Sequence, residues 1–283
     1  MKPGERFLRQ PKSFWAYVRS ISEAVGYTDR GTHNIKAPKL SELRFSLEKV
    51  ELNPALVVDT SGNLTELGET LSAYFKYRAR ILDAFVEPRL MNDKQANKVF
   101  TQLRRKLSPH CPIPINKQKG EKKTPAYFTG IINMLIEAHS EGLPCDYDPK
   151  KLTTITTNGV PLRTLARRVD GAFTSTVNPI AVWEIKEYYY TTTFGSRVAD
   201  GIYETLLDGM ELEELREHEG VDVKHYLMVD AHYTWWDCGR SYLCRILDML
   251  HMGYVDEVLF GTEVLERMPM IVKQLVKIAK HGM

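Results

Sequence analysis

The sequence predicts an α/β fold preceded by a helical region, and three observations carry that expectation. Apolar residues recur at three- and four-residue spacing through the first hundred positions. A proline- and lysine-rich break follows at 108–125. Beyond it, short β-prone stretches alternate with helical ones.

Helices are expected at 13–24, 39–47, 64–87 and 92–107. In the third, Leu64, Leu67, Leu71, Tyr74 and Phe75 form an apolar stripe. Thr65, Glu66 and Glu69 suit its start electrostatically, and Pro88 stops it. The break contains Pro109, Pro112, Pro114 and Gly120, which exclude a regular element and mark a domain boundary at 110. The expected division is a helical N-terminal region, residues 1–110, and an α/β core, residues 111–283. Within the core the reading is helix 126–140, strands 151–158, 165–175 and 180–190, helix 197–217, strand 225–230, helix 241–252, strand 257–260 and helix 270–280.

Bulk properties narrow the class. A chain of 283 residues, 43% hydrophobic and 26% charged, has enough apolar material for one large or two modest domains. The start of the chain lacks the apolar block of an export signal, and no apolar run approaches the roughly 20 residues that span a bilayer. A cytoplasmic protein without a membrane partner is the expectation. Cys111, Cys145, Cys238 and Cys244 include no two-residue-spaced pair, so free thiols are expected. A net charge of +2 gives no whole-molecule attraction to nucleic acid, and any such footprint must come from local charge.

The chemistry concentrates in Asp170-Gly171 and, after a turn, Glu184-Ile185-Lys186. Alternation along a strand puts Glu184 and Lys186 on one face and Ile185 on the other. Two charges directly after the apolar run 180–183 carry a desolvation cost unless the site is open, hydrated or occupied by an ion. Hard oxygen ligands from Asp170 and Glu184 suit Mg²⁺, with Lys186 placed to orient a water or to stabilise charge on phosphate oxygens. Without further context, Asp-Gly is an ordinary turn pair and the acid and lysine an ordinary ion pair.

In their helix, three-strand, helix, strand setting, Asp170 and Glu184-Ile185-Lys186 resemble the PD-(D/E)XK nuclease superfamily of restriction endonucleases, over roughly residues 126–260. Val169 stands where the written motif has proline, a position many members relax. The resemblance implies a restriction-endonuclease-like core in which Asp170 and Glu184 bind Mg²⁺ and Lys186 assists the attacking water. It also implies an acid from the preceding helix, a place filled by Glu137 with Glu141 behind it; Glu137 reads equally as a solvated helix-surface carboxylate.

DNA contacts are expected from Lys117, Lys119, Lys122 and Lys123 in the break and from Arg197 after the motif strand. A solvated charge run is the alternative for the lysines. Tyr188 and Tyr190 read as packing residues, and the acidic run from Asp208 to Glu219 as a solvated helix end facing away from DNA. With no GxxxxGK[ST] loop in the chain, the first expectation is a type II restriction endonuclease cutting duplex DNA as a homodimer. A repair, recombination or modification-dependent nuclease of the same fold is the nearest alternative. A non-catalytic DNA-binding protein is the alternative from another class.

Overall fold

The computed structural model describes residues 1–29, 31–116, 124–191 and 195–281. Along the chain run α1 (Glu5–Leu8), α2 (Lys12–Val25), α3 (Leu40–Lys49), α4 (Glu66–Ile81), α5 (Asp93–Leu107) and α6 (Tyr127–His139). Next come β1 (Cys145–Asp146), β2 (Thr154–Thr157), β3 (Val160–Thr164), β4 (Gly171–Phe173) and β5 (Ala181–Glu187). The chain ends with α7 (Ser196–Glu219), β6 (Lys224–Asp230), α8 (Arg240–His251), β7 (Glu257–Phe260) and α9 (Val264–His281). Among the described residues no helix is long and apolar enough to cross a membrane.

The chain divides into two compact units, one of residues 3–88 and 235–253, the other of 1–2, 89–234 and 254–283. The first is helical. Phe14, Trp15, Val18 and Ile21 of α2 recur at helical spacing and are buried against Leu71, Tyr74 and Phe75 of α4. Thr65 caps α4 by accepting from the Gly68 N–H at 3.1 Å. Arg78, one turn after Tyr74, is buried and sets Nη1 3.0 Å from both carboxylate oxygens of Asp248 in α8, while the Tyr74 hydroxyl donates to Asp248 Oδ1 at 2.6 Å. A buried charge pair is tolerable only when hydrogen-bonded in this way.

The second unit is a mixed five-stranded sheet in the order β1-β4-β5-β6-β7. β1, β4 and β5 pair antiparallel, while β5, β6 and β7 pair parallel. The central strands β5 and β6 are near-continuously buried, as a sheet covered on both faces requires. Ala181, Trp183, Tyr226 and Met228 face α6 and α9, whereas Val182 packs with Ala172 and with Leu212 and Leu215 of α7. The result is an α/β three-layer arrangement.

Three expectations are corrected. The boundary at 110 falls inside the sheet unit, because α5 packs on α6: Ala96 and Phe100 are buried with Phe128 and Ile131, and the Phe100 and Tyr127 rings lie 5.5 Å apart. The proline-rich break connects two helices of one core, and its ends pair where the Asn116 N–H donates to the Thr124 carbonyl at 2.9 Å. Residues 235–253, expected in the α/β core, belong to the helical unit. The stretch 151–158 is not the first strand of the sheet; that strand is β1, and β2 pairs with β3 as a separate two-stranded ribbon. Its turn is Asn158-Gly159, both at positive φ (51° and 78°), the conformation a two-residue hairpin demands.

Candidate functional site

Asp170 ends the loop after β3 and donates its backbone N–H to the Trp183 carbonyl at 3.0 Å, which sets it beside Glu184 at the start of the β4–β5 pairing. The Ile185 N–H then donates to Asp170 Oδ2 at 2.8 Å, and the Asp170 N–H lies 3.2 Å from Glu184 Oε1. Two non-adjacent segments of sequence therefore present their acids at one place. Strand alternation does the rest: Glu184 and Lys186 lie on the α7 side of β5, and Ile185 packs into the opposite core.

Glu184 is 0% exposed and Lys186 6%, so both charges are desolvated and must be paired. Lys186 Nζ donates to Glu184 Oε2 at 2.7 Å. Arg167 Nη1 lies 2.8 Å from Glu184 Oε1 and 2.6 Å from Asp208 Oδ2, and its Nη2 lies 3.4 Å from Glu204 Oε2. Asp208 is fully buried on α7, and its Oδ1 has no hydrogen-bond partner among the described residues. Gly201 lets α7 cross Lys186 closely, since a Cβ there would lie 3.2 Å from the lysine's Cε.

Charge states follow from this packing. Burial pushes Glu184 up, but Lys186 and Arg167 outweigh it and hold the carboxyl below the ordinary range. Burial would lower Lys186, yet Glu184 and Asp170 raise it above an ordinary lysine. Asp170 is open to solvent at the rim, but protein atoms crowd its carboxyl; desolvation, then the Glu184 charge, push it up to about 6. Asp208 is pushed up to about 7 by burial and by Glu184.

Arg167, Asp170, Lys186 and Glu204 line a cleft of about 1380 Å³ that also takes in Thr129, Glu187 and the tyrosine run 188–190, with Glu184 and Asp208 buried behind them. Glu187 ends β5 and accepts from the Thr129 N–H and hydroxyl, each at 3.0 Å, at the start of α6. A hard divalent cation takes oxygen ligands, and the carboxylates gathered here that could offer them are Asp170 and Glu184, with Glu204 and Asp208 on α7. Among the described residues no three metal-ligating side chains already converge on one point, consistent with both Glu184 oxygens being engaged by Arg167 and Lys186.

Asp170, Glu184 and Lys186 thus come together as the sequence expects. Glu137 does not join them. Thr129 lines the cleft, and Glu137 lies eight residues further along α6, about 12 Å at 1.5 Å per residue. Its carboxylate accepts from the His110 N–H at 3.0 and 3.1 Å. Lys117, Lys119, Lys122 and Lys123 lie outside the described residues, as does the side chain of Arg197, whose backbone is in the first turn of α7. The acidic run is not simply a solvated helix end: Asp208 is buried at the site, and Glu211 accepts from the Ala166 N–H at 3.0 Å. Sequence reasoning missed Arg167, Glu204 and Asp208 as site residues; the one signal was that Gly201, Glu204, Asp208 and Glu211 recur at helical spacing on one face of α7, which does not reveal their pairing with Arg167.

Residues 1–85 match the model of a domain of unknown function, DUF7690. No curated protein and no solved structure matches the chain. Residues 91–275, which contain the whole cleft and more than half of the sequence, match the model of a second domain of unknown function, DUF7687, and the chain belongs to that family.

Proposed function

We propose that the chain is a divalent-metal-dependent nuclease acting on DNA, with Asp170, Glu184 and Lys186 as its reacting constellation. The observation that carries this reading is the buried Lys186–Glu184 pair at 2.7 Å, set beside Asp170 at the mouth of a large cleft. Burying such a pair is a poor route to stability, so its place at a cleft argues for use. The order α6, β1, β4, β5, α7, β6 gives further support, being helix, three strands, helix, strand once the β2–β3 ribbon is treated as an insertion.

The donor set fits Mg²⁺. Asp170 and Glu184 supply hard oxygens, and Asp170 is pushed up first by desolvation and then by the Glu184 charge, a repulsion that a cation relieves. When bound there, the ion supplies an acidified water and neutralises charge on the phosphate. The protein's own contribution is positional. Asp170 and Glu184 hold the cation side, and Lys186, protonated, faces the charge that develops on the phosphate oxygens. Thr129 and the tyrosine run line the same cleft and are available to contact a bound strand.

Sequence-specific cutting of duplex DNA by a homodimer is the narrower form of this proposal. The test is incubation of the pure chain with unmodified plasmid, methylated plasmid and branched oligonucleotides, with and without Mg²⁺, beside Asp170→Asn. Discrete fragments from unmodified plasmid support a type II restriction enzyme. Cutting confined to modified or branched DNA supports the repair or modification-dependent alternative. The full pairing of Glu184 by Arg167 and Lys186 favours one rival, a non-catalytic DNA-binding protein. That rival predicts DNA binding with no metal-dependent products.

A further inference from the structure

Arg167 Nη1 bridges two buried carboxylates, 2.8 Å from Glu184 Oε1 and 2.6 Å from Asp208 Oδ2. A single cationic nitrogen therefore occupies the Glu184 oxygen that lies nearest Asp170, since the Asp170 N–H reaches that same Oε1 at 3.2 Å. Lys186 takes the other oxygen, so each Glu184 oxygen already has a cationic partner. Asp208 differs: its Oδ1 is fully buried and has no hydrogen-bond partner among the described residues, an arrangement that is costly unless some state of the molecule uses it. Arg167 itself lines the cleft and is only partly covered, so its guanidinium has room to move.

We propose that Arg167 is an internal counter-cation that competes with a divalent metal for Glu184 Oε1, and that Asp208 is the berth that receives its guanidinium when the metal arrives. This rests on the metal-dependent reading above. A guanidinium presents several N–H donors in a fixed fork, so rotation away from Glu184 turns a second donor toward the unpartnered Asp208 Oδ1. The exchange keeps each buried carboxylate paired in both states: Glu184 passes from Arg167 to the metal, and Asp208 goes from one hydrogen bond to two. Glu204, 3.4 Å from Nη2, keeps the guanidinium over α7 during that rotation. Arg167 is then a positioning residue that sets how readily the site loads.

The sign of the consequence is unusual for a residue in a binding site. Removing Arg167 is expected to tighten metal binding. The test is Mn²⁺ titration of the full chain, followed by loss of the free-ion electron paramagnetic resonance signal, for the native protein, Arg167→Gln and Arg168→Gln. Arg168→Gln removes the same charge one residue away and controls for the general field. Arg167→Gln is expected to tighten Mn²⁺ binding about tenfold, the size of one charge-assisted contact at a partly buried site, against less than about twofold for the control. Should Arg167→Gln not fold, Arg167→Lys serves, since the lysine Nζ lies one bond nearer the backbone than Nη1 and lacks the guanidinium fork, which loosens its hold on Glu184 and shifts affinity in the same direction. Tightening no greater than that of Arg168→Gln, or weaker binding, overturns the counter-cation proposal and leaves the nuclease reading standing. Absence of Mn²⁺ binding by both the native chain and the Arg167 variants overturns both.

Discussion

Lys186 carries its charge inside the protein. Burial would lower its pKa, but the Glu184 and Asp170 carboxylates outweigh that, so the amine stays protonated at neutral pH. A protonated amine cannot take a proton from water, which confines Lys186 in the proposed reaction to orienting groups and stabilising negative charge. Lys186→Met keeps the apolar stem and leaves Glu184 paired with Arg167; it is expected to lower metal-dependent cleavage by at least about 100-fold, the usual cost of one such donor. Single-turnover kinetics on the best substrate checks this. Asp230 gives a second test, independent of metal. It is fully buried and accepts from the Met91 and Ala231 N–H groups and the Tyr189 hydroxyl, and burial pushes it up to about 8. Because the folded state binds this proton more tightly than the unfolded state, the Asp230 contribution is complete below the unfolded value of about 4 and is lost as pH rises through 8. Relative to native, Asp230→Asn is expected to show a flatter urea midpoint between those pH values; parallel profiles would refute the assignment. At this scale Asp170, Glu184 and Lys186 were legible, because acid-x-lysine on an apolar strand is a local pattern. Arg167 and Asp208 were not, since their pairing joins a loop to a helix across 41 positions.

Gly171 shows how closely the site depends on strand pairing. It sits opposite Trp183, and a Cβ there would lie 2.2 Å from the indole ring. The residue after Asp170 therefore has to be glycine for β4 to pass beneath Trp183 and hold Asp170 against β5. Gly171→Ala is expected to destabilise by about 2–3 kcal/mol, the cost of overpacking a rigid aromatic, read as a lower urea midpoint. An unchanged midpoint would mean that the ring moves freely. Taken alone, Asp-Gly reads from sequence as an ordinary turn pair, whereas here the glycine is the first residue of β4. β5, β6 and β7 were legible from their continuous apolar runs, and the first four long helices from their periodicity, with Thr65, Glu66 and Glu69 marking the start of α4. β1 and β4, two and three residues long, are too short to show any period. The β2–β3 ribbon carried its own signal in Asn158-Gly159, but Pro161 in the second strand hid it.

At the scale of the whole molecule, local sequence states what each segment becomes and little about which unit it joins. α8 was legible as a helix, yet it completes the helical unit by bringing Asp248 to Arg78 and Tyr74 and His251 among Phe7, Trp15 and Tyr77. A fragment of residues 1–110 consequently keeps a buried guanidinium without its partner. Such a loss costs roughly 3–5 kcal/mol, much of the roughly 5–15 kcal/mol that holds a domain together. That fragment is expected to lack a cooperative thermal transition by circular dichroism, and a sharp transition would show that α8 is dispensable. The central claim concerns the sheet unit, whose cleft, carboxylates and lysine form one constellation. Its most direct test is Mg²⁺-dependent hydrolysis of DNA by the pure chain beside Lys186→Met, at low salt and with matched thermal midpoints. Cleavage that requires Mg²⁺ and disappears with the lysine is the expected result; cleavage retained by Lys186→Met, or none by the folded native chain on any DNA, would contradict the account.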